Sequence, residues 1–188
     1  MMRIRMPKAL IFIICLIICV TVSCEINSTG QEESSREVEF PDMIFRDADY
    51  LLGMAGNNPI KIHAETIEIF NDVKKALLYD ATFRQDDNVG IEIISGSAEF
   101  IQIDLETNDA MLEGSVAIYN HKDQLHILAD SLQWHHEDRL LSSKAQDVVI
   151  LNYDGRYTIE GLGFSGKFDQ ATYEFLSVVE GEISDNDT

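Results

Sequence analysis

Histidines and carboxylates occur in this chain at spacings that suggest metal or hydrolytic chemistry. His135 and His136 are metal-ligand types, but neighbours on a strand point to opposite faces, and a zinc site needs two further donors. His121 and His126 flank a predicted turn and are better explained as solvated side chains. The 33 acidic residues supply many chance pairs of carboxylates, so no pair is distinctive. We therefore predict no metal site and no catalytic residues.

Residues 161–166 spell the glycine pattern G-x-G-x-x-G. In a dinucleotide-binding fold this pattern needs a helix that begins at the last glycine and offers its amides to a pyrophosphate. Here another strand-like run follows, so we interpret the glycines as relieving crowding on a bent strand. No Ser/His/Asp set or Cys/His pair is marked by a local motif. The sequence predicts neither a cofactor nor an enzyme.

Cys24 carries the most specific chemical signal in the chain. Three basic residues precede an apolar stretch over 9–22, and a small residue, Ser23, stands directly before the cysteine. This order is typical of a secretory signal and resembles a bacterial lipobox, whose cysteine is acylated. The apolar stretch is shorter than the roughly 20 residues of a spanning helix. We predict a lipoprotein signal peptide over 1–23, a lipidated Cys24 and an anchor in a membrane.

Composition divides the rest of the chain. All three cysteines lie in or at the end of the signal, so the exported domain carries no disulfide. We predict the lipidated cysteine and a flexible tether over 24–37, one domain over 38–183, and a disordered tail over 184–188. Loss of the signal changes the net charge from −19 to −22, because three basic residues leave with it. Such a field repels nucleic acid and anionic surfaces, so we exclude a nucleic-acid partner.

The sequence predicts β-strands, and these strands would have to position any functional site. Ile101, Ile103 and Leu105 alternate with polar residues, and Leu112, Val116 and Ile118 return on the next run. Alternation with a period of two places one apolar and one polar face on a pleated strand. Nine strands are predicted, at 43–52, 59–70, 74–85, 90–105, 110–120, 125–134, 139–151, 156–168 and 172–180.

A repeat of roughly 32 residues organises these strands. Its copies open with a small residue at Ala64, Ala98, Ala129 and Gly161, which an acid follows in the first three. Apolar residues change face near Gly96 and Ala129, and we expect β-bulges to absorb these slips. Long, bulged antiparallel strands predict an all-β fold: a single domain that is an open antiparallel β-jellyroll, with a folded-over, V-shaped sheet.

These features together resemble the LptC family, the periplasmic subunit of the lipopolysaccharide export machinery, within the OstA/LptA-like β-jellyroll group. The resemblance covers about residues 40–183, and it is carried by Gly96-Ser97-Ala98-Glu99 through Val116, by Leu128-Ala129-Asp130 through Ser143, and by Tyr157 through Phe164.

The resemblance implies a non-catalytic protein that holds the acyl chains of lipopolysaccharide or a related glycolipid in an apolar groove. It also implies edge strands that pair with an inner-membrane export ABC transporter and with an LptA-like periplasmic protein. Family members of the usual type are held by a spanning helix, whereas Cys24 here predicts a lipid anchor. We expect the periplasmic face of the cell envelope, with the inner membrane favoured.

Strand parity predicts which side chains would line that groove. The predicted inward residues are Ile101, Ile103, Leu105, Leu112, Val116, Ile118, Leu132, Trp134, Ile159 and Phe175. The same residues would form an ordinary dry core if no lipid binds. Two other functions stay open: a structural or adhesive envelope lipoprotein that uses the jellyroll for protein contacts only, and a glycan-active enzyme on a β-sandwich.

Overall fold

The computed structural model describes residues 40–53 and 58–183. These residues form one ten-stranded sheet in which every pairing is antiparallel, as the sequence predicted. The strands are β1 (Met43–Leu52), β2 (Ile60–Phe70), β3 (Lys75–Asp86), β4 (Glu92–Asp104), β5 (Ala110–Asn120), β6 (Leu125–His135), β7 (Leu140–Ser142), β8 (Val148–Tyr153), β9 (Tyr157–Lys167) and β10 (Thr172–Ile183). The predicted signal, Cys24, the tether and the tail lie outside the described residues.

One predicted strand is wrong in its continuity. The run at 139–151 forms two strands, β7 and β8, which both lie between β6 and β9. The polar segment 143–147 separates them. Ser143 accounts for the break, because its N–H donates to the carbonyl of Phe164 and its Oγ accepts the N–H of Phe164. A long-range contact with β9 therefore ends the strand that local apolar pattern would continue.

A row of small and β-branched residues crosses the sheet where the strands bend, and we call it the fold line. Ala48 lies opposite Ala64, and the row continues through Ala81 to Ala98 in unbroken register. Beyond β4 the row continues through Val116, Ala129, Val149 and Gly161. The repeat is thereby explained, because its four opening residues, Ala64, Ala98, Ala129 and Gly161, all lie on this line.

The strands change face at the fold line. In β2 the buried positions run Ile62, Ala64, Ile67, so two successive residues face outward between the last two. The neighbouring strands skip at the same place, and the register across the bend is kept from β1 to β4. The predicted slips near Gly96 and Ala129 are therefore part of a bend shared by the sheet. The bulge that accompanies them lies on β5 between these strands.

That bulge is formed by Gly114 and Ser115, which both have positive φ. They occupy the space between Glu113 and Val116, where the register with β4 and β6 shifts by one residue. A glycine takes the left-handed conformation without a steric penalty, so Gly114 is suited to this position. Asp47 and Asp80 also have positive φ where β1 and β3 cross the bend, and aspartate tolerates that region better than most residues.

Bending brings the two halves of every long strand together as two layers around one core. Apolar residues from both halves belong to the same buried cluster, including Ile62 and Ile127 on one side of the fold line and Leu78 and Ile103 on the other. Within the described residues the sheet stays open, since β1 pairs only with β2 and β10 pairs only with β9.

Candidate functional site

An apolar cavity of about 400 Å³ lies between the two layers. One wall is a cross-strand row in which Ile62 lies opposite Phe83, with Gly96 and Ile118 continuing the row. Directly opposed residues on antiparallel strands share a face, so this row faces the interior. The full lining is Leu52, Asn58, Ile60, Ile62, Phe83, Gln85, Asp86, Asp87, Asn88, Ile93, Ile94, Ile101, Ala110, Leu112, Ile118, Asn120, Lys122, Trp134, Arg139, Leu141, Phe168 and Asp169.

The opposite wall comes from the other halves of the strands. Ala110, Trp134 and Leu141 form one row across β5, β6 and β7, and Ile101 lies opposite Leu112 in the row beside it. The buried indole Nε1 of Trp134 finds no hydrogen-bond acceptor among the described residues. The two walls are therefore mostly apolar, and Gln85 and Asn120 are buried polar side chains in the same lining.

Gly96 sets the position of the Phe83 ring in the first wall. A Cβ on Gly96 would lie 2.3 Å from Cζ of Phe83 and 2.5 Å from the carbonyl oxygen of Ala117. Real Cβ atoms do not approach other atoms so closely, and the ring would have to move. The glycine thus allows an aromatic ring to cross the strand and pack beside the cavity.

Charged residues are confined to the rim, where turns end the strands. Asp86 ends β3 and Asp87 follows it, and Lys122, Arg139 and Asp169 belong to three other turns. The ammonium group of Lys61 lies 2.9 Å from Oδ2 of Asp86 and, as the main cause, holds the pKa of that carboxyl below its usual value. The cavity can therefore accept an apolar group while polar parts of the same molecule stay at the rim.

A hydrogen-bonded link joins the two layers near β10. The hydroxyl of Tyr173 donates to Oδ2 of Asp123 at 3.1 Å and accepts from Nδ2 of Asn120 at 3.4 Å. The same Nδ2 donates to Asp123 at 2.7 Å. Burial is the main cause that raises the pKa of Tyr173 to about 12, and the nearby Asp123 carboxylate adds to it. This link holds the ends of β5 and β10 together beside the cavity.

The predicted groove residues fall into three groups. Ile101, Leu112, Ile118 and Trp134 line the cavity. Ile103, Val116 and Leu132 are fully buried in the core, and none of them reaches the cavity. Leu105 and Phe175 are partly buried against the core, whereas Ile159 is 37% exposed and lies on the inner face opposite Leu151.

Only four of the 22 lining residues were among the predicted inward residues. Ile60, Ile62, Phe83 and Ile94 precede Ile101 in the chain and were not among the predicted inward residues. Their signal was present, because Ile60 and Ile62 alternate with polar residues and lead into Ala64. Extending the alternation of inward and outward residues back through the first repeat would have identified Ile60 and Ile62 as inward-facing.

The other chemical motifs have structural roles. Gly161 and Gly163 lie within β9, where a Cβ would meet Phe175 and Leu176 respectively, as the crowding interpretation predicted. The ring of Tyr119 lies between those of His121 and His126 on the outer face, and His135 contacts Ser142. Within residues 40–53 and 58–183, no group of three or more His, Cys, Asp and Glu side chains is arranged to hold a metal. Nor do these residues form a helix long and apolar enough to cross a membrane.

A single antiparallel sheet folded over an apolar cavity, with two unpaired edges, is an open β-jellyroll. Among solved structures, the chain is similar to LptH, the LptA-homologous periplasmic component of the conserved lipopolysaccharide transport device from Pseudomonas aeruginosa. The two are 15% identical over 63% of this chain and 82% of that chain, with a TM-score of 0.49. No curated protein matches the chain in sequence.

The family is shown by a sequence model that describes LptC-related proteins of lipopolysaccharide assembly. This model matches residues 9–184, nearly the whole chain. The chain belongs to the LptC-related family. It is therefore a component of lipopolysaccharide transport at the cell envelope.

Proposed function

We propose that the protein is a non-catalytic conduit in lipopolysaccharide export, which holds acyl chains in the cavity between its layers. The observation that carries this proposal is the cavity itself. Its walls are mostly apolar, and its charged residues lie in turns or at the end of a strand. Its volume of about 400 Å³ is within the range of roughly 300–1,000 Å³ that is usual for ligand sites.

A glycolipid with several acyl chains exceeds one such cavity. The cavity would then be one segment of a longer trough, continued by neighbouring jellyrolls that pair with β1 and β10. Unpaired edges accept partner strands through backbone hydrogen bonds, as in other cases of strand addition. We propose the export transporter and an LptA-like protein as these neighbours. Acylated Cys24 would hold the domain at the periplasmic face of a membrane, with the inner membrane favoured.

The test is photo-crosslinking in cells that produce the full chain. A benzophenone amino acid replaces Phe83 on the cavity wall, and the control replaces Val73, which is exposed in the turn between β2 and β3. We expect lipopolysaccharide adducts at position 83 and none at position 73. A folded protein without adducts at position 83, or with equal adducts at both positions, would contradict the conduit. Capture of surface proteins by that folded protein would favour the structural lipoprotein instead.

A further inference from the structure

Two apolar parts of the interior lie along the same inner-face rows of the sheet. The rows that begin at Ile118 and Asn120 in the cavity continue across β6 and β8 to β9. Opposed residues share a face, so both rows stay on the inner face. They end in three exposed side chains that do not line the cavity, which we call the open strip: Tyr153, Tyr157 and Ile159. A lipid that follows the inner face toward β10 has to pass from the cavity to the open strip.

The interior between the cavity and the open strip is filled with side chains. Leu125 and Ile127 lie on the two rows and are 2% and 0% exposed, and Phe164 on the opposite layer is 1% exposed. All three belong to one buried cluster. Protein interiors are packed about as densely as organic crystals, so this block leaves no path for an acyl chain while the layers are in contact. Within the described residues, the trough of the proposed function is therefore interrupted at this block.

The ring of Tyr173 lies beside this block. Tyr173 is on the row of the second cavity wall, which runs from Trp134 through Gly166 to Tyr173. A Cβ on Gly166 would lie 3.1 Å from Cδ1 of Tyr173 and 2.6 Å from Cζ of Phe164, so the glycine leaves room for both rings. The centroid of the Tyr173 ring is 6.5 Å from that of Phe164 and 6.1 Å from that of Phe168, which lines the cavity. Tyr173 thus adjoins both the cavity and the buried block.

The hydroxyl of Tyr173 binds to a turn of the opposite layer that is held together without it. Asn120 is 4% exposed, and its Oδ1 accepts the N–H groups of Lys122 and Asp123. Its Nδ2 donates to Asp123 at 2.7 Å and to the Tyr173 hydroxyl at 3.4 Å, and that hydroxyl donates to Asp123 at 3.1 Å. Departure of Tyr173 breaks only the two bonds of its hydroxyl, and water can replace both partners. Opening at this point therefore costs little and is reversible.

Tyr173 also borders the open strip. Burial is the main cause that raises the pKa of Tyr173 to about 12, and the phenol of Tyr153 contributes as well, so the two hydroxyls are near each other. Tyr173 is the second residue of β10, which pairs only with β9 among the described strands. A side chain at the start of an edge strand can move without breaking the centre of the sheet.

We propose that Tyr173, held by Asn120 and Asp123, is a gate between the cavity and the open strip that opens when an acyl chain passes. While the gate is closed, the lipid stays on one side of the buried block. Its passage requires the Tyr173 hydroxyl to leave both partners and the layers to separate at this point. This inference rests on the proposed function and deepens it by giving the step at which transfer within the domain is controlled.

The test locates lipid on both sides of the gate in cells that produce the full chain. A benzophenone amino acid replaces Phe83 in the cavity or Ile159 in the open strip. The double variant Asp123→Cys/Tyr173→Cys places a thiol on each side of the gate, and a short bis-methanethiosulfonate reagent joins the two thiols through a linker that dithiothreitol cleaves. The cleaved sample is the matched control, because it has the same sequence and a free gate.

Before the thiols are joined, we expect lipopolysaccharide adducts at both positions. The lock should keep adducts at the position that the lipid reaches first and abolish them at the other. Cleavage of the linker should restore the lost adducts, because the layers can separate again.

Tyr173→Phe tests the gate without a reagent. Loss of the hydroxyl should raise the open fraction roughly fivefold, and adducts at the position that the lipid reaches second should rise by the same factor at short irradiation times. Tyr79→Phe is the matched control, because its hydroxyl donates to Glu68 at 3.3 Å and Tyr79 does not line the cavity. An equal rise in the two variants would contradict the gate.

Three further results would overturn the inference. Adducts at both positions in the locked protein would mean that lipid does not pass this point, and the proposed function would stand without the gate. Adducts at position 83 and none at position 159 in the unlocked protein would mean that lipid does not move toward β10. Loss of adducts at both positions on locking would mean that the whole interior has to open. Absence of adducts at both positions in the unlocked, folded protein would instead contradict the proposed function itself.

Discussion

The interior has a packed region and a cavity region, which are formed by the same strands. The two differ in whether side chains of the opposite layer contact the inward-facing residues. In the packed region, Leu78, Ile103 and Leu132 are 0% exposed, because side chains of the opposite layer fill the space. In the cavity region, Phe83 and Ile94 are apolar and partly exposed, and a void lies in front of them. The comparison teaches that inward parity alone does not define a binding site. The distance between the layers decides which inward residues are free to meet a ligand.

The energetic consequence follows from packing. A fully buried side chain contacts atoms on all sides, and its loss forfeits both those contacts and its transfer from water. A side chain beside a void already lacks partners on one side. Substitutions in the packed region should therefore act mainly on stability, and those in the cavity region mainly on binding.

Ile103→Asp, in the packed region, should have the largest effect on the stability of the fold. A carboxylate at a fully buried position has no cation to pair with, and we expect a loss above roughly 4 kcal/mol, enough to unfold many domains. Circular dichroism and thermal melting measure this loss. Ile94→Asp at the cavity wall is the matched control, and it should keep the β spectrum. Equal unfolding of the two variants would remove the distinction between the regions.

The second prediction concerns the fold line. Ala81→Leu places a larger side chain between Ala64 and Ala98, where the bent layers leave no space. Overpacking of this kind costs about 1–3 kcal/mol. Chemical denaturation of the variant measures the change. A neutral result would mean that small residues are not required where the sheet bends.

Much of the fold could be predicted from the sequence, because alternation and turns are local signals. The predicted limits of β1 are those observed, and the all-β class follows from the same pattern. The break between β7 and β8 was not predictable locally, since it depends on hydrogen bonds between Ser143 and Phe164. The repeat was visible, yet its meaning as a bend required the register that joins Ala64 to Ala81 and Ala98.

The candidate site was predictable only in part for a similar reason. Parity correctly placed Ile101, Leu112, Ile118 and Trp134 on the inner face, and these residues line the cavity. It also placed Ile103 there, where the layers are in full contact. The separation of the layers depends on side chains from strands distant in sequence, such as the Phe83 ring that Gly96 admits. The pattern of residues along one strand therefore does not predict the distance between the two layers.

Tyr173→Phe tests the link that borders the cavity and should have a smaller effect. The ring packing against Phe164 and Phe168 stays, and the hydroxyl loses the hydrogen bond that it donates to Asp123 and the longer one that it accepts from Asn120, which together cost about 1–2 kcal/mol. The raised pKa of about 12 means that the folded state holds this proton more tightly than the ordinary value of 10.0 allows. The contribution of Tyr173 is therefore complete below pH 10 and lost as the pH rises through 12.

Denaturation at pH 9 and at pH 11 measures this contribution in the wild type and in Tyr173→Phe. The wild type should lose more stability than the variant between the two pH values. Some dependence should remain in the variant, because burial also raises the pKa of Tyr50 and Tyr79. Identical slopes in the two proteins would mean that the hydroxyl does not link the layers in solution.

Ala110→Leu should have the smallest effect on stability and the most specific effect on binding. Ala110 lies opposite Trp134 on the cavity wall, so the larger side chain enters existing space. Burial of the added methyl groups offsets modest crowding, and we expect stability to stay within about 1 kcal/mol of the wild type. Lipid adducts at position 83 should fall by at least half, because the leucine occupies volume that the acyl chain needs. Since Ala81→Leu adds the same atoms at the fold line, the two variants together separate space kept for a ligand from space that the fold fills. Unchanged adduct formation in a folded Ala110→Leu protein would show that the lipid does not enter this cavity.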